Sequence, residues 1–374
     1  MRKQLKIQIA GIALSVFFLQ NAFAQDLNFI YKAGEDGYSC FRIPAIVSTT
    51  KGTVLAFAEA RKNNCGDAGD IDLVVKRSTD NGTTWSPLQL IWSDSTNTCG
   101  NPAPIVDKTT GDIILLSTWN LGTDHEKAIT NQTARDTRRV FVLYSGDDGN
   151  TWSVPKEITN HVKPANWTWY ATGPGSGIQI ERGKYKGRLV VACDHSIAGE
   201  KGSYSHSIYS DDDGKTWVLG GITEKGVNEC TVAEISKGHL LLNMRNSGPA
   251  RCRQIATSKD GGTSWSSIHP DTTLIEPVCE GSLISYNYRG KKRGLVFSNP
   301  ASKTSRSNMT VRISHNNGKT WPLQKVLYAG PSAYSNVTIL PNGEIGCLYE
   351  AGYNKPYEGI VFQSASFKDF KKEK

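Results

Sequence analysis

The stretch Ser78-Thr79-Asp80-Asn81-Gly82-Thr83-Thr84-Trp85 decides the fold, because the same eight-residue pattern returns four more times along the chain. The later copies begin at Ser145, Ser210, Ser258 and Ser314. All five copies fit S-x-D-x-G-x-[T/S]-W, except that Asn316 takes the place of the aspartate in the last one. A short motif that recurs across most of a chain is the signature of a repeat architecture.

The residue types of this repeat, which we call the Asp box, suit a tight turn. The aspartate can accept backbone N–H bonds in its own turn, and the glycine two residues later supplies a positive φ. The tryptophan ring can pack beneath the turn. Copies follow strand-like runs such as Val140–Tyr144 and Met309–Ile313. The Asp box therefore predicts a hairpin corner between two strands, with an architectural rather than a catalytic role.

The other strand signals are short, apolar and punctuated by Gly, Pro, Asn and Asp. They lie at Val54–Ala58, Ile113–Thr118, Leu189–Cys193, Leu240–Met244 and Ile345–Tyr349. No long amphipathic helical pattern follows them. Many short strands with a blade-sized repeat favour an all-β protein, a β-propeller with Asp-box hairpin corners, because that architecture leaves few exposed sheet edges.

Residues 1–24 predict a cleavable signal peptide. Three basic residues near the start precede an apolar run from Ile7 to Leu19, and Ala22-Phe23-Ala24 offers the small residues read at cleavage. The apolar run is too short for a comfortable membrane span, and no other stretch comes near its length. We therefore expect export to the periplasm, the cell surface or the medium, with residues 25–374 forming a single domain.

The charge balance is mildly positive. Removing residues 1–24 lowers the net charge from +8 to +5, because the segment holds three basic residues and no acidic one. This balance is compatible with an acidic glycan as partner. Apart from the short tail Lys368–Lys374 there is no dense basic stretch, so a nucleic acid is not an expected partner.

The eight cysteines permit disulfides in an exported protein, but their spacing leaves the pairing open. Cys193 and Cys347 lie in apolar runs and equally suit small buried hydrophobes. Neither C-x-x-C nor H-E-x-x-H occurs, and the seven histidines show no metal-site spacing. We therefore expect no catalytic metal and no cofactor, while calcium bound for stability by loop aspartates stays open, as does the oligomeric state.

Phe41-Arg42-Ile43-Pro44, followed by several Asp boxes, resembles the bacterial and animal exo-sialidases. The similarity extends from this FRIP motif to Tyr349-Glu350. It implies a six-bladed β-propeller with the active site at its central mouth. It also implies hydrolysis of terminal sialic acid from glycoproteins, glycolipids and oligosaccharides, with retention through a covalent tyrosine intermediate.

Sialic acid carries a carboxylate on its anomeric carbon, and guanidinium groups suit that anion because they form planar, charge-assisted bonds. The family uses three arginines. The resemblance assigns them to Arg42 of the FRIP motif, to Arg245, and to Arg306, with Arg312 as a lower-ranked rival for the third place. Arg245 ends the apolar run that starts at Leu240, where an unpaired charge is costly.

The resemblance assigns the nucleophile to Tyr334 and its base to Glu229. Sialidases depart from the usual carboxylate nucleophile. The reacting carbon bears a carboxylate that repels an anionic nucleophile, whereas a neutral phenol escapes this repulsion. With a pKa near ~10 the phenol needs a positioned base at neutral pH.

The acid/base that protonates the leaving oxygen is expected on a loop after the FRIP strand. Family spacing favours Asp67, with Asp70 as the alternative and Asp72 as a structural residue. Gly66 and Gly69 flank the favoured pair and would let the loop move.

Three further residues follow from the same comparison. Glu350 matches a glutamate that orients the first arginine. Arg61 matches an arginine near the O4 and N-acetyl side of the sugar, and Asn101 is placed in the same region. Trp167, Trp169 and Tyr170 are expected either beside the glycerol tail or leaving group, or in the packing between strands; the residues do not decide between these.

Two alternative functions stay open at this point. A trans-sialidase or an anhydro-forming sialidase shares the whole catalytic set, so motifs do not separate it from a hydrolase. A non-catalytic Asp-box propeller that binds glycans or proteins predicts gaps among the arginines and the Asp, Glu and Tyr, yet each of these positions is filled. Linkage preference is not readable from the sequence.

Overall fold

The computed structural model describes residues 26–288 and 292–372. The predicted signal peptide, residues 1–24, lies outside the described residues. Strands account for nearly all regular structure in the described ranges, and the two α-helices there have five and four residues. The protein is therefore all-β, as the pattern of short apolar runs predicts.

From Asp26 to Gly226, the described residues form fourteen strands and two helices: β1 Phe29–Lys32, β2 Cys40–Ser48, β3 Val54–Arg61, β4 Ile71–Ser78, β5 Gln89–Trp92, β6 Thr98–Val106, β7 Ile113–Asn120, α1 Glu126–Thr130, β8 Arg139–Ser145, β9 Lys156–Glu157, α2 Thr159–Val162, β10 Trp167–Thr172, β11 Ile178–Gln179, β12 Leu189–Ile197, β13 Tyr204–Ser210 and β14 Val218–Lys225. From Val227 onward, the described residues form eleven strands and one 3₁₀ turn: β15 Val227–Ser236, β16 His239–Asn246, β17 Cys252–Ser258, β18 His269–Ile275, β19 Ser282–Tyr288, β20 Lys292–Pro300, β21 Ser307–Ser314, β22 Leu323–Ile339, β23 Ile345–Ala351, β24 Gly359–Ala365, the turn Phe367–Asp369 and β25 Lys371–Lys372.

These strands form four sheets within the described ranges. The first follows the order β2-β3-β4-β6-β7-β8-β9 with β5 beside β4, and the second follows β10-β12-β13-β14 with β11 beside β12. The third is β15-β16-β17-β18. The fourth follows β1-β24-β23-β22-β21-β20-β19, with β25 beside β22. Neighbouring strands are mostly consecutive in the chain, so each sheet is built largely from hairpins.

The two ends of the described chain meet in one sheet. β1 pairs antiparallel with β24, and Phe29 lies opposite Val361. This pairing joins the first strand to the last long strand, so the succession of sheets closes on itself. β2, which carries the FRIP motif, thereby lies next to the C-terminal strands as well as next to β6.

Hydrogen bonds join strands of neighbouring sheets, or of neighbouring parts of one sheet, and fix how these strands are aligned along their length. The strands concerned are β2, β6, β10, β15, β19 and β22. These are Thr172 Oγ1 to Asn101 O at 2.6 Å, Cys230 N to Gly173 O at 3.2 Å, Leu283 N to Thr231 Oγ1 at 3.1 Å, Val337 N to Ser282 Oγ at 3.2 Å and Ile46 N to Asn336 Oδ1 at 2.8 Å. Each bond satisfies a buried polar group that would otherwise be unpaired. The strands that carry the predicted site residues are thus held against one another.

The Asp boxes form the hairpin corners that their sequence predicts. In the first copy the Ser78 hydroxyl donates to Asp80 Oδ1 at 2.7 Å and accepts from Gly82 N at 2.8 Å. The same carboxylate accepts from Thr84 N at 2.9 Å and from Thr84 Oγ1 at 2.6 Å. In the last copy Asn316 reproduces both contacts with Thr320, at 2.9 Å each.

Two consecutive positions of each corner need a left-handed backbone. Asn81 has a φ of 60° and Gly82 a φ of 85°. The residue before the glycine is Asn, Asp, Asp, Gly or Asn in the five copies, and these are the residue types that tolerate positive φ best. A Cβ at Gly82 would meet the Phe362 ring, so the glycine also permits close approach to the neighbouring strand.

The corner tryptophans tie the turns to the sheets. Trp85 packs edge-on against Phe362 of β24, with ring centroids 5.3 Å apart. Trp152 packs in the same way against Phe57 of β3, at 5.7 Å. These two rings therefore contact strands far away in sequence and anchor their turns to them.

The corners predict a specific acid dependence of stability. Hydrogen bonds from Thr84 and Ser78 lower the pKa of Asp80 to about 2, and hydrogen bonds from Thr151 lower the pKa of Asp147 to about 2. Both values lie below the unfolded value of about 3.9. The corner carboxylates therefore stabilise the fold above about pH 4, and this contribution is lost as the pH falls toward about 2.

Asp80→Asn combined with Asp147→Asn should flatten this dependence, because Asn316 shows that asparagine makes the same turn without titrating. Melting temperature between about pH 5 and about pH 2 measures the effect. Asp26→Asn, at an exposed aspartate outside the corners, is the matched control. Parallel curves for the wild type and the double variant would contradict the assignment.

Candidate active site

A cavity of about 200 Å³ opens where the starts of β2, β6 and β15 and the middle of β22 meet the ends of β3 and β16. Antiparallel hairpins bring these strand ends to one side of the molecule. The predicted residues on its wall are Arg42, Arg61, Asp67, Asn101, Glu229, Arg245, Arg306 and Tyr334. Glu350 lies behind the wall. The structure thus brings together residues that span 308 positions of sequence.

Glu350 holds two strands of the site in place. Its carboxylate is fully buried and accepts from Arg42 Nε at 2.9 Å and from Arg42 Nη2 at 3.3 Å. It also accepts from the backbone N–H of Ile43 at 3.0 Å and of Tyr334 at 3.1 Å. One carboxylate therefore fixes both the guanidinium on β2 and the backbone that carries Tyr334 on β22.

Tyr334 stands at the floor of the cavity among charged groups. Its hydroxyl donates to Glu229 Oε1 at 2.5 Å and accepts from Arg245 Nη1 at 3.0 Å. Burial raises the pKa of Tyr334 well above its ordinary value, and Glu229 raises it further, while Arg245 and Arg42 act against this. The phenol is therefore neutral at neutral pH and has a carboxylate placed to take its proton.

Arg245 links the Glu229 carboxylate to the Tyr334 phenol. Its Nη1 lies 2.7 Å from Glu229 Oε2, and its Nε donates to Asn228 Oδ1 at 2.9 Å. The guanidinium is oriented by these partners and still faces the cavity. The charge that ends the apolar run of β16 is thus compensated by a carboxylate.

Arg306 completes a group of three guanidiniums around the Tyr334 ring. It donates to Tyr357 OH at 2.7 Å and to Val278 O at 3.0 Å, and it contacts no carboxylate among the described residues. Its guanidinium carbon lies 5.4 Å from the Tyr334 ring centroid, and that of Arg42 lies 5.0 Å from it. The alternative residue, Arg312, lies within β21 and is not on the cavity wall.

Asp67 lies on the loop after β3 and is paired with two arginines. Its Oδ1 accepts from Arg61 Nη1 at 2.7 Å and from Arg42 Nη1 at 3.2 Å, although its side chain is 66% exposed. Burial acts to raise the pKa of this carboxyl, but Arg61 and Arg42 outweigh it and hold the pKa below its ordinary value. Neither Asp70 nor Asp72 lines the cavity. Asp72 instead accepts a hydrogen bond of 2.7 Å from the Tyr38 hydroxyl.

Glu59 organises the wall beside this loop, and sequence reasoning missed it. It accepts from Arg61 Nε at 3.0 Å and Nη2 at 2.6 Å, and from Asn101 N at 2.8 Å. Asn101 Oδ1 accepts from Arg138, whose guanidinium lies 4.1 Å from the Trp169 ring centroid. A signal existed for Glu59, because it is a charged residue that directly follows the apolar run Val54–Ala58.

Asp194 is a second residue that sequence reasoning missed. It lies on the cavity wall at 3% exposure, and its Oδ1 has no hydrogen-bond partner among the described residues. Burial, followed by the charge of Glu229, raises the pKa of Asp194 well above its ordinary value. It directly follows the apolar run Leu189–Cys193, so the reasoning applied to Arg245 would also have identified it.

The three aromatics near β10 divide between the two roles considered for them. Trp169 lines the cavity. Trp167 and Tyr170 are buried in the core, and Trp167 stacks on His195 with ring centroids 3.3 Å apart. Regular alternation would put Trp167 and Trp169 on the same face, and the irregular register of β10 between Trp167 and Tyr170 accounts for their division.

Cys40 and Cys65 form a disulfide, while the other six cysteines are buried free thiols. Within residues 26–288 and 292–372, no three His, Cys, Asp or Glu side chains group in a way that could hold a metal ion. The same ranges hold no helix long and apolar enough to cross a membrane.

Comparison with known proteins places the chain in a class. Residues 52–347 match the BNR repeat-like domain family. The chain is 34% identical over 332 residues to a sialidase of Micromonospora viridifaciens, covering 85% of this chain and 51% of that protein. It is 32% identical over 358 residues to a sialidase of Bacteroides fragilis, covering 90% of this chain and 64% of that protein.

A solved structure agrees with these relatives. The Hadza microbial sialidase Hz136 superposes with a TM-score of 0.82 at 33% identity, over 91% of this chain and 68% of that one. The chain therefore belongs to the sialidase family. It spans about half the length of the Micromonospora viridifaciens sialidase and about two thirds of the length of the Bacteroides fragilis sialidase.

Glu350→Ala should lower the free energy of unfolding by about 3–5 kcal/mol, because it leaves the Arg42 guanidinium buried without its partner. Glu350→Gln should lose less, since its amide oxygen can still accept a hydrogen bond. Urea unfolding measures both. Glu35→Ala removes an exposed ion pair and should change stability by less than about 1 kcal/mol. A Glu350→Ala loss as small as that of the control would contradict the buried-pair account.

Proposed function

We propose that the protein is an exo-α-sialidase that removes terminal sialic acid from glycoproteins, glycolipids and oligosaccharides with retention of configuration. One observation carries the proposal. Three guanidiniums converge on a tyrosine whose hydroxyl is hydrogen-bonded to a carboxylate, in a cavity of about 200 Å³. Membership of the sialidase family supports the same activity.

Arg42, Arg245 and Arg306 bind the substrate carboxylate in this proposal. Guanidiniums stay charged at every relevant pH and offer paired N–H donors to a planar anion. Arg42 and Arg245 are already oriented by Glu350 and Glu229, so little side-chain entropy is lost when the ligand arrives. The anion also fixes the adjacent anomeric carbon above Tyr334.

Tyr334 is the nucleophile and Glu229 its base. The phenol oxygen bonds to the anomeric carbon while its proton passes to Glu229, and the bond from that carbon to the leaving oxygen breaks. The 2.5 Å contact between the two side chains supports this transfer. Arg245 stays next to both groups and stabilises the charge that moves from the carboxylate toward the phenol.

Asp67 protonates the leaving oxygen in the first step. In the second step its carboxylate takes a proton from water, which attacks the anomeric carbon as the bond to Tyr334 breaks and Glu229 returns the proton to the phenol. Asp67 lies on an exposed loop at the cavity rim, which is the side from which a leaving group departs. Arg61 and Asn101 are proposed to contact the O4 and N-acetyl side of the sugar.

We further propose that the four sheets comprise six propeller blades. The long strand β22 pairs with β21 through Leu323–Pro331 and with β23 through Ser332–Ile339. β4 and β6 share only the pair Ile71 and Thr98. Dividing the two eight-stranded sheets at these places gives four blades of four strands, one of which also carries the short strand β25, and the two smaller sheets supply the others.

Export is proposed as well, with residues 1–24 as signal peptide and residues 25–374 as one catalytic domain. The Cys40–Cys65 disulfide supports export, because disulfides persist in oxidising compartments such as the periplasm or the extracellular space.

Tyr334→Phe tests the nucleophile. The wild type should release sialic acid from sialyllactose and gain one fluorosialosyl unit from 2,3-difluorosialic acid, detected by intact mass. Tyr334→Phe should form no adduct and lose at least about 10²-fold in turnover, because it has no hydroxyl to attack. Tyr353→Phe, at an exposed tyrosine, should behave as the wild type. An adduct on Tyr334→Phe, or an anhydro sugar as the main product, would contradict the proposal.

Proton uptake tests the acid. Arg61 and Arg42 hold Asp67 ionised in the free protein, since they keep its pKa below the ordinary value of about 3.9. A ligand carboxylate takes Arg42 away from Asp67 and adds a negative charge nearby, so binding should raise this pKa and draw a proton from solution near about pH 5. Calorimetry with an unsaturated sialic-acid analogue, in two buffers of different ionisation enthalpy, measures this uptake. Asp67→Asn should abolish it and Asp70→Asn should keep it; the reverse pattern would move the acid role to Asp70.

A further inference from the structure

We infer that the Cys40–Cys65 disulfide is a positioning device for Asp67, which holds the acid/base loop against the strand that carries Arg42. The inference rests on the proposed function and deepens it. It concerns two residues that do not line the cavity and that act only through Asp67.

The disulfide joins the segment that carries Arg42 to the segment that carries Asp67, and each cysteine lies two positions before that residue in the sequence. Cys40 is the first residue of β2 and precedes Arg42 by two positions. Cys65 precedes Asp67 by two positions in the loop after β3. The covalent link therefore joins the arginine strand to the acid loop beside the Arg42–Asp67 contact, rather than across the core.

The tip of this loop has few other attachments. Its base is closed by Lys62 N to Asp70 O at 3.0 Å and by Gly69 N to Thr98 Oγ1 at 3.1 Å. Between these points residues 62–64, 66 and 67 are exposed, so the tip buries little apolar surface. Low burial and exposed hydrogen bonds are the features of segments that open locally.

Arg61 supplies the non-covalent attachments of the tip. Its Nη1 donates to Cys65 O at 2.6 Å, to Gly66 O at 3.0 Å and to Asp67 Oδ1 at 2.7 Å. The third of these contacts, between Arg61 and Asp67, is an ion pair. Like the ion pair between Arg42 and Asp67, it requires an ionised Asp67 carboxylate.

Both ion pairs weaken when catalysis begins. In the proposed mechanism the substrate carboxylate takes the Arg42 guanidinium, and Asp67 must carry a proton in order to give it to the leaving oxygen. The electrostatic attachment of the loop therefore declines at the moment when the acid has to stay in place. The disulfide is independent of charge, so it keeps the tip near Arg42 throughout the reaction.

A purely global stabilising role fits the structure less well. The other six cysteines are buried thiols, and the core clusters form without any cross-link between them. The bridge instead joins cysteines 25 positions apart, the second of which lies in a largely exposed loop. Its removal is expected to free the loop and to leave the sheets intact.

The leaving group distinguishes the two roles. A lactose leaving group needs a proton to depart, whereas a nitrophenyl group leaves as a stable phenolate without one. Loss of a positioned general acid should therefore reduce kcat/KM on sialyllactose and spare a nitrophenyl sialoside. A general loss of folded protein reduces both equally.

The experiment compares the wild type with the double variant Cys40→Ser, Cys65→Ser on these two substrates. We expect kcat/KM on sialyllactose to fall by roughly 10- to 100-fold and kcat/KM on the nitrophenyl sialoside to fall by less than about threefold. Asp67→Ala should show the same selectivity more strongly. Asp260→Ala, which weakens a remote Asp-box corner, is the control for stability alone and should show no selectivity.

Hydrogen exchange gives a readout that does not depend on activity. Amides of residues 62–68 should exchange faster in the double variant, while amides of β2 and β3 keep their protection. If the wild type is active and the double variant loses equal activity on both substrates, or loses none, the inference is overturned while the proposed function stands. A wild type inactive on both substrates would overturn the proposed function and the inference with it.

Discussion

The Glu350 carboxylate is the constraint on which the rest of the site depends. Buried without access to water, it accepts from the Arg42 guanidinium and from the backbone N–H groups of Ile43 and Tyr334. A buried carboxylate is tolerated only with such partners, so its presence forces the start of β2 and the middle of β22 together. Those two strands carry the first arginine and the tyrosine. The relative position of the proposed anion-binding group and the proposed nucleophile is therefore set by a residue that lies behind the cavity wall and is fully buried.

Stability and chemistry occupy different parts of the same hairpins. The Asp boxes hold the outer corners, where each aspartate is satisfied by its own turn and each tryptophan packs on a neighbouring strand. The cavity lies at strand ends elsewhere, where charged side chains are paired with one another across sheets. Rigid strands place Arg245 and Tyr334, whereas Asp67 lies on a loop, and its attachment by ion pairs and one disulfide suits a group that changes protonation state.

Contacts between residues close together in the sequence could be predicted, whereas most contacts between distant segments could not. The corners were readable because Ser78, Asp80 and Thr84 satisfy one another within seven residues. Arg245 was readable as a charge that ends an apolar run, and Glu59 and Asp194 carry the same signal. Arg138 carries none, since it stands in a polar segment before β8. The Arg42–Glu350 pair and the Cys40–Cys65 bridge join segments with no shared local pattern, so only the family resemblance pointed to the first and nothing pointed to the second.

The central claim is that Arg42, Arg245 and Arg306 together form the receptor for the carboxylate of sialic acid above Tyr334. A crystal structure with an unsaturated sialic-acid analogue tests this most directly. The account predicts the ligand carboxylate within hydrogen-bonding distance of all three guanidiniums, with the anomeric carbon next to the Tyr334 hydroxyl and Asp67 no longer bound to Arg42. A carboxylate bound elsewhere in the cavity, or one that reaches Arg312 in place of Arg306, would contradict it.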